Sequence, residues 1–299
     1  MFDVDIIVRL KGFDDFFIGW IDRLHAHVSR LFCWLNSCEG EAYMGSMSSA
    51  PRLFIDALLA EGQSVSLDEK QAKYLLRVMR LEDGALLRVF NGRDGEWQAR
   101  LIHESAKKAS LVPEVCTRPQ LETPDITLLF APLKKTRTDF VVEKACELGV
   151  RRIVPVMTEF TQASRVRSDR LQAVVIEAAE QTERMDIPTV EDDISLWRAL
   201  DSWDASVPLY YCDEAGAAAP MADVLAKADS ARAGLLIGPE GGFSPAERDR
   251  LRALDFVIPV TLGPRILRAE TAVVSALTLW QSLVGDWRDD PYLPETENG

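Results

Sequence analysis

One pattern constrains the fold of this 299-residue chain more than any other. A short apolar run ends in a Gly-Pro pair, and helix-forming sequence follows within a few residues. It occurs twice, at Ile237-Gly-Pro-Glu-Gly-Gly-Phe243 and at Leu262-Gly-Pro-Arg-Ile-Leu-Arg268. A strand that passes through a tight turn into a helix is half of a βαβ unit, so the fold class is α/β with a mostly parallel sheet. The alternation extends upstream. Strands are expected over 126–130, 152–157, 207–212, 234–237 and 256–262. Helices are expected over 138–148, stopped by Gly149, and over 169–183, capped by Ser168. A short helix is expected over 194–200, another begun by Pro220, and a last one over 271–284. Ser244 and Glu247 form a capping box with Pro245 at the first helical position. Glycines in such a loop let a ligand approach the backbone and expose N–H donors to it. The loop is neither Gly-x-Gly-x-x-Gly nor a Walker sequence, and a turn without a ligand accounts for its composition equally well. The last helix carries Ala272, Val273, Ala276, Leu277, Leu279, Trp280, Leu283 and Val284 over a broad arc. That arc suits a core plus a partner subunit, or a wholly internal helix.

The preceding segment has a different character. A strand is expected over 52–55, then a helix over 67–81 opened by a Ser66–Glu69 capping box. At 100° per residue, Lys70, Lys73, Arg77 and Arg80 fall within an arc of about 80°. Strands over 85–90 and 96–102 flank the turn 91–95 as a hairpin, and a further strand covers 110–115. Several short strands with one helix make a small barrel. Four like charges on one helix face repel, and few acids interleave them. Phosphate binding is one reason to tolerate that repulsion, and a plainly solvated face is the other.

The chain carries 34 basic and 47 acidic residues, net −13, which argues against a simple DNA-coating protein. The acidity is uneven: residues 47–120 balance to within one charge, whereas the segment from 121 onward is strongly acidic, which suggests two jobs. Five cysteines with no Cys-x-x-Cys argue for a reducing compartment, and three histidines leave little material for a metal centre. His25, His27, Cys33 and Cys38 match no familiar zinc spacing. Residues 1–46 hold no apolar run near the roughly 20 residues that span a bilayer, and no secretory signal pattern. An amphipathic surface helix is one account of them. Translation starting at Met44 or Met47 is the simpler one. The expected organisation is an extension over 1–46, a small module over 47–120, an α/β domain over 121–288 and a tail over 289–299.

Arg77-Val-Met-Arg80, Lys144 with Glu147-Leu-Gly-Val150, Glu180-Gln181 with Arg184, and the two Gly-Pro loops in this order resemble the SPOUT superfamily of S-adenosylmethionine-dependent RNA methyltransferases. The likeness runs from about Pro51 to Gly285, and is strongest to members that methylate N3 of a uridine in 16S rRNA. It implies a PUA-like RNA-binding β-barrel ahead of a SPOUT domain whose C-terminal loops form a trefoil knot. It also implies a cytoplasmic homodimer with no membrane association, acting on 16S rRNA or the small ribosomal subunit with S-adenosylmethionine as cofactor and no metal. Gly238, Glu240, Gly241, Gly242, Leu262 and Leu267 would line the cofactor pocket, and Lys70, Lys73, Arg77 and Arg80 would bind RNA. For catalysis, Arg268 and Arg184 are the candidates to stabilise developing negative charge. Glu270 is a candidate base or sulfonium-side carboxylate, with stabilisation of its own helix as the alternative. Two positions depart from the family pattern: residues 158–161 lack an arginine often found there, and Glu183 stands where glycine is common. A superfamily enzyme acting on another base or a ribose 2′-hydroxyl, and a non-catalytic RNA-binding assembly factor, are the rival functions. The intact loops weigh against the second.

Removing residues 1–46 is expected to leave solubility, cofactor affinity and methylation rate unchanged. Purification and assay of a chain starting at Met47 checks this, and an insoluble or inactive product overturns it.

Overall fold

The computed structural model describes residues 50–289 except 106, 164–165 and 214–217. The expectations for 1–46 and for the tail beyond 289 lie outside the described residues. Pro51 onward belongs to one compact unit built on two sheets.

The first sheet has five strands in the order β1-β3-β4-β5-β2. These are β1 (Arg52–Phe54), β2 (Val65–Ser66), β3 (Leu86–Phe90), β4 (Glu96–Ser105) and β5 (Lys108–Arg118). β1 runs parallel to β3, and the other pairings are antiparallel. The expected hairpin forms around Asn91, whose Oδ1 accepts from the backbone N–H groups of Arg93 and Asp94. Gly95 is obligatory there: its φ is +82°, and a Cβ would lie 2.4 Å from the Arg118 carbonyl oxygen. Leu53, Leu87, Val89, Ala99, Leu101 and Leu111 form the core under this sheet, together with Ala72 and Leu75.

The helix of this module departs from expectation. α1 covers only Glu69–Lys73, and its cap is Asp68, paired with Gln71 in a capping box. Ser66 does not cap because it belongs to β2, in register with Ser110. After Lys73 the chain widens into a π-helical turn, Tyr74–Val78, in which the Met79 N–H reaches back five residues to the Tyr74 carbonyl at 2.9 Å. Rotation by 100° per residue therefore stops applying beyond Lys73. Arg80 ends the turn in the left-handed region, with φ +55°.

The second sheet is wholly parallel, in the order β11-β13-β10-β12-β6-β7-β8, with β9 added beside β7. Its strands are β6 (Asp125–Phe130), β7 (Arg152–Met157), β8 (Thr189–Val190), β9 (Ile194–Ser195), β10 (Leu209–Cys212), β11 (Ala219–Pro220), β12 (Arg232–Ile237) and β13 (Val257–Thr261). The helices are α2 (Lys135–Glu147), α3 (Ser168–Gln181), α4 (Leu196–Asp201), α5 (Met221–Leu225), α6 (Pro245–Arg252) and α7 (Ala269–Leu283). The α/β fold class is thus as expected, and the strands are near-continuous apolar runs, as a sheet covered on both faces requires. Ser168 is the first residue of α3 rather than its cap, and its hydroxyl donates to Asp192. α7 buries Val273, Ala276, Leu277 and Trp280. Its Gln281 donates to the Leu148 carbonyl at 2.7 Å, which ties it to the end of α2.

A buried ion cluster joins the two sheets' halves. Glu96 accepts from Arg52 Nε at 2.6 Å and from Arg118 Nη2 at 2.6 Å. Glu183 accepts from Arg88 at 2.6 Å and from Arg118 at 2.9 Å. Arg52 also donates to the carbonyls of Ala179 and Arg184, and the Phe54 N–H donates to Glu180. Glu183 has φ +62°, the backbone conformation that favours glycine. Its departure from the family pattern therefore lies at this junction, where the carboxylate gains two arginine partners.

Burial disfavours the charged form of Glu96, but the hydrogen bonds from Arg118 and Arg52 outweigh it and hold its pKa below the ordinary value of 4.5. A depressed carboxylate pKa contributes stability above the unfolded value and loses it as pH falls through the folded one. Glu96→Ala is expected to cost about 3–5 kcal/mol at pH 7, because it leaves arginine charge buried without its partner. The gap from wild type should narrow as pH falls below the ordinary carboxylate range. Urea denaturation of both proteins across that range checks this, and a gap independent of pH contradicts it.

Candidate functional site

Along the second sheet, β6 and β12 are neighbours whose outgoing connections run in opposite directions, β6 toward β7 and β12 toward β13. Such a switch point leaves a crevice outside the carboxyl ends of the strands, where ligands bind in open α/β sheets. Both Gly-Pro loops leave strands on this side.

The first loop is shaped by its own aromatic residue. Phe243 is buried and meets Tyr211 edge-on, with ring centroids 5.1 Å apart. A Cβ on Gly238 would lie 2.6 Å from the Phe243 ring. Gly242 has φ +69°, and its N–H closes the turn on the Pro239 carbonyl at 2.9 Å. Gly241 packs near Phe160, to which an added Cβ would come within 3.3 Å. The capping box forms as expected, and Glu247 does more than cap. Its buried carboxylate accepts from the Ser244 N–H and from the Glu159 N–H, each at 2.9 Å. Residues 158–161, the other departure from the family pattern, are thereby fastened to the glycine loop.

In the second loop, Gly263 has φ +108° with nothing within 4 Å of an added Cβ. Leu262 and Leu267 are half-buried, while Arg265, Ile266 and Arg268 are exposed. Arg268 is the N-cap residue of α7, and Glu270 lies in that helix's first turn. Glu270 Oε1 is 3.6 Å from Arg137 Nε, and Arg137 Nη1 is 3.3 Å from Glu240 Oε1. Glu270 Oε2 is buried and has no hydrogen-bond partner. One guanidinium thus brings together carboxylates from both loops. Arg137 was not legible in the sequence: it belongs to no motif, and it reaches the site because α2 begins at the switch point. Glu247 was legible as a cap and residues 158–161 as a departure from the family pattern, but the packing of these two loops against each other was not.

Arg184 does not join this group. It is buried, and its guanidinium donates to the carbonyls of Cys146 and Val150 at 2.6 and 2.8 Å and to Asp186 at 2.8 and 3.0 Å. Burial opposes its charge, yet Asp186 outweighs the penalty and keeps its pKa above the ordinary arginine value. Those partners sit at the C-terminal end of α2 and just before β7, at the amino end of the strands. Arg184, a candidate for charge stabilisation, thus braces the end of the domain opposite the glycine loops, with its donors engaged there. Lys70, Lys73, Arg77 and Arg80 are all exposed, on α1 and the turns that follow it rather than at the crevice. Among the described residues, no group of three or more His, Cys, Asp or Glu is placed to hold a metal ion. None of their helices is long and apolar enough to cross a membrane.

The RNA methyltransferase domain model matches residues 120–281, and the RNA methyltransferase PUA domain model matches residues 67–114. The chain belongs to this family of RNA methyltransferases, with a PUA domain ahead of the methyltransferase domain. Among its relatives is ribosomal RNA small subunit methyltransferase E of Rickettsia conorii, 30% identical over 76% of this chain and 93% of that protein. The protein of the same name from Synechocystis is 32% identical over 79% of this chain and 76% of its own length. Two solved structures are similar. Ribosomal RNA small subunit methyltransferase E from Neisseria gonorrhoeae, bound to S-adenosyl methionine, is 31% identical with a TM-score of 0.71, covering 80% of this chain and 99% of that one. A putative methyltransferase from Legionella pneumophila, also with bound cofactor, is 28% identical with a TM-score of 0.72, covering 79% and 99%.

Gly238→Ala is expected to destabilise the protein by about 1–3 kcal/mol, because the methyl group overpacks against a buried ring. Phe243→Leu should also destabilise on its own, but the double variant should recover part of the Gly238→Ala loss. Thermal and urea denaturation of the four proteins checks this, and strictly additive losses contradict it.

Proposed function

We propose that this protein methylates N3 of a uridine in 16S rRNA, with S-adenosylmethionine as methyl donor. The observation that carries this reading is the crevice at the β6–β12 switch point, where two glycine loops and the carboxylates of Glu240 and Glu270 converge around Arg137. The names and bound cofactor of the relatives support it.

The residues present fit the cofactor. Half-buried Leu262 and Leu267 suit the flat adenine ring, and the open space at Gly263 admits a close approach. The unpartnered Glu270 Oε2 suits a cationic or hydrogen-donating group. Gly238, Gly241 and Gly242 would hold the cofactor by their backbone, with Glu240 at the rim. The cofactor supplies an electrophilic methyl group on a sulfonium.

The protein's own work is alignment, charge stabilisation and proton management. The two loops fix donor and acceptor in line, which removes the entropic cost of meeting. Uridine N3 must lose its proton before it attacks. Arg268, exposed beside the crevice, stabilises the charge that spreads to the uracil oxygens, and Glu270 is the nearby carboxylate for the proton. The cations of the first module hold the RNA by its phosphates. The proposed assembly is a homodimer, with exposed Leu283 and Trp287 as apolar surface at the end of α7. Mass mapping of modified nucleosides in small-subunit rRNA, with and without the gene, tests the assignment. A missing methyl on another base or on a ribose hydroxyl points to the superfamily rival, and an unchanged map points to an assembly factor.

Arg268→Ala is expected to lower kcat by about a hundred- to a thousand-fold while cofactor affinity holds. Raising the pH from about 7 to roughly 9.5 should restore part of the rate, because more uridine is then already deprotonated. Single-turnover rates and calorimetry with S-adenosylhomocysteine check this. Parallel losses in rate and affinity without pH rescue assign Arg268 to loop bracing instead.

A further inference from the structure

We infer that Tyr74 is a stacking platform for one unpaired RNA base, set inside the cationic surface of the first module. The inference rests on the RNA-binding reading above and adds a contact of a different physical kind to it.

The π-helical turn exposes what a merely solvated face would hide. Tyr74 is 46% exposed and Val78 66% exposed, although the same turn buries Leu75 completely. Among the described residues the Tyr74 ring is paired with no other aromatic ring and covered by no cation. Tyr74 directly follows α1, whose exposed Lys70 and Lys73 lie four residues and one residue before it. Arg77 and Arg80, also exposed, follow within six residues of it in the chain. The residue is also held in place. Its carbonyl accepts the Met79 N–H at 2.9 Å, the bond that defines the wide turn, and its neighbour Leu75 is locked in the core. Widened turns of this type are frequent at functional sites.

Cations alone recognise any phosphate chain, whereas an exposed ring among them recognises a base face. Duplex RNA hides its base faces, so the combination selects a single-stranded loop or bulge. Because the backbone beneath the ring is already fixed, little order is lost when a base lands on it.

The test compares binding of the full chain to a single-stranded oligoribonucleotide carrying one 2-aminopurine, and to small-subunit rRNA, across a range of salt concentrations. Tyr74→Ala should weaken binding about ten-fold, within the range measured for base–aromatic stacking. Its salt dependence should match wild type, since no phosphate contact is lost. Tyr74→Phe should bind as wild type does. Quenching of the 2-aminopurine on binding should be present in wild type and in Tyr74→Phe, and absent in Tyr74→Ala. Arg77→Ala should instead lower the salt slope by about one. If Tyr74→Ala binds within about two-fold of wild type while charge reversal at Lys70, Lys73, Arg77 and Arg80 abolishes binding, stacking is overturned and the phosphate surface stands. Equal losses in the alanine and phenylalanine variants also overturn it, because the hydroxyl would then be responsible. If the charge reversal changes neither affinity nor salt slope, the RNA role of this surface falls, and the stacking inference falls with it.

Discussion

Three arginines and two glutamates, clustered around buried Glu96 and Arg118, decide how the halves of this unit meet. Arg52, Arg88 and Arg118 share Glu96 and Glu183, and the side chains of Arg52 and Glu96 are 3% and 2% exposed. A cluster of this kind is a poor source of net stability, because desolvating the charges offsets most of their attraction. Its value is in geometry. Each guanidinium has a planar fork that fits its partners in one orientation. Arg52 alone binds a carboxylate from the first sheet and two carbonyls from the end of α3. Slippage between the halves would strand several buried charges at once. The first module and the crevice therefore keep a fixed relation through interactions that touch neither the cationic surface nor the glycine loops.

The crevice follows a similar logic on a smaller scale. Arg137 has two carboxylates to serve and stands between them, while one oxygen of Glu270 has no partner. An unsatisfied buried oxygen is costly in an empty site and favourable in a filled one. A hydrogen-bond donor placed against that oxygen would remove the cost.

Where sequence and structure agree, the deciding forces are local. The glycine loops, the Ser244–Glu247 capping box and the Asn91 hairpin each depend on residues within a few positions of one another, and all form as expected. The second sheet was legible because covered parallel strands are apolar throughout. Disagreement begins where tertiary partners intervene. Ser66 loses its capping role to Asp68 because a distant strand claims its backbone. A helix predicted over 67–81 widens after five residues, and no propensity scale signals that. Arg184 shares a motif with functional neighbours, yet its donors are taken by carbonyls more than thirty positions away in the chain. Arg137 is the converse case, anonymous in sequence and central in space.

The strand order also sets a timetable for the nascent chain. β10 receives both of its neighbours, β12 and β13, only after it has itself been made, and β11 pairs with β13 alone. Glu270 and the buried face of α7 come later still. Most of the second sheet's polypeptide must therefore be made before β13 arrives to fill the open edges of β10 and β11. The crevice takes shape only once the second Gly-Pro loop and Glu270 have followed the first loop out.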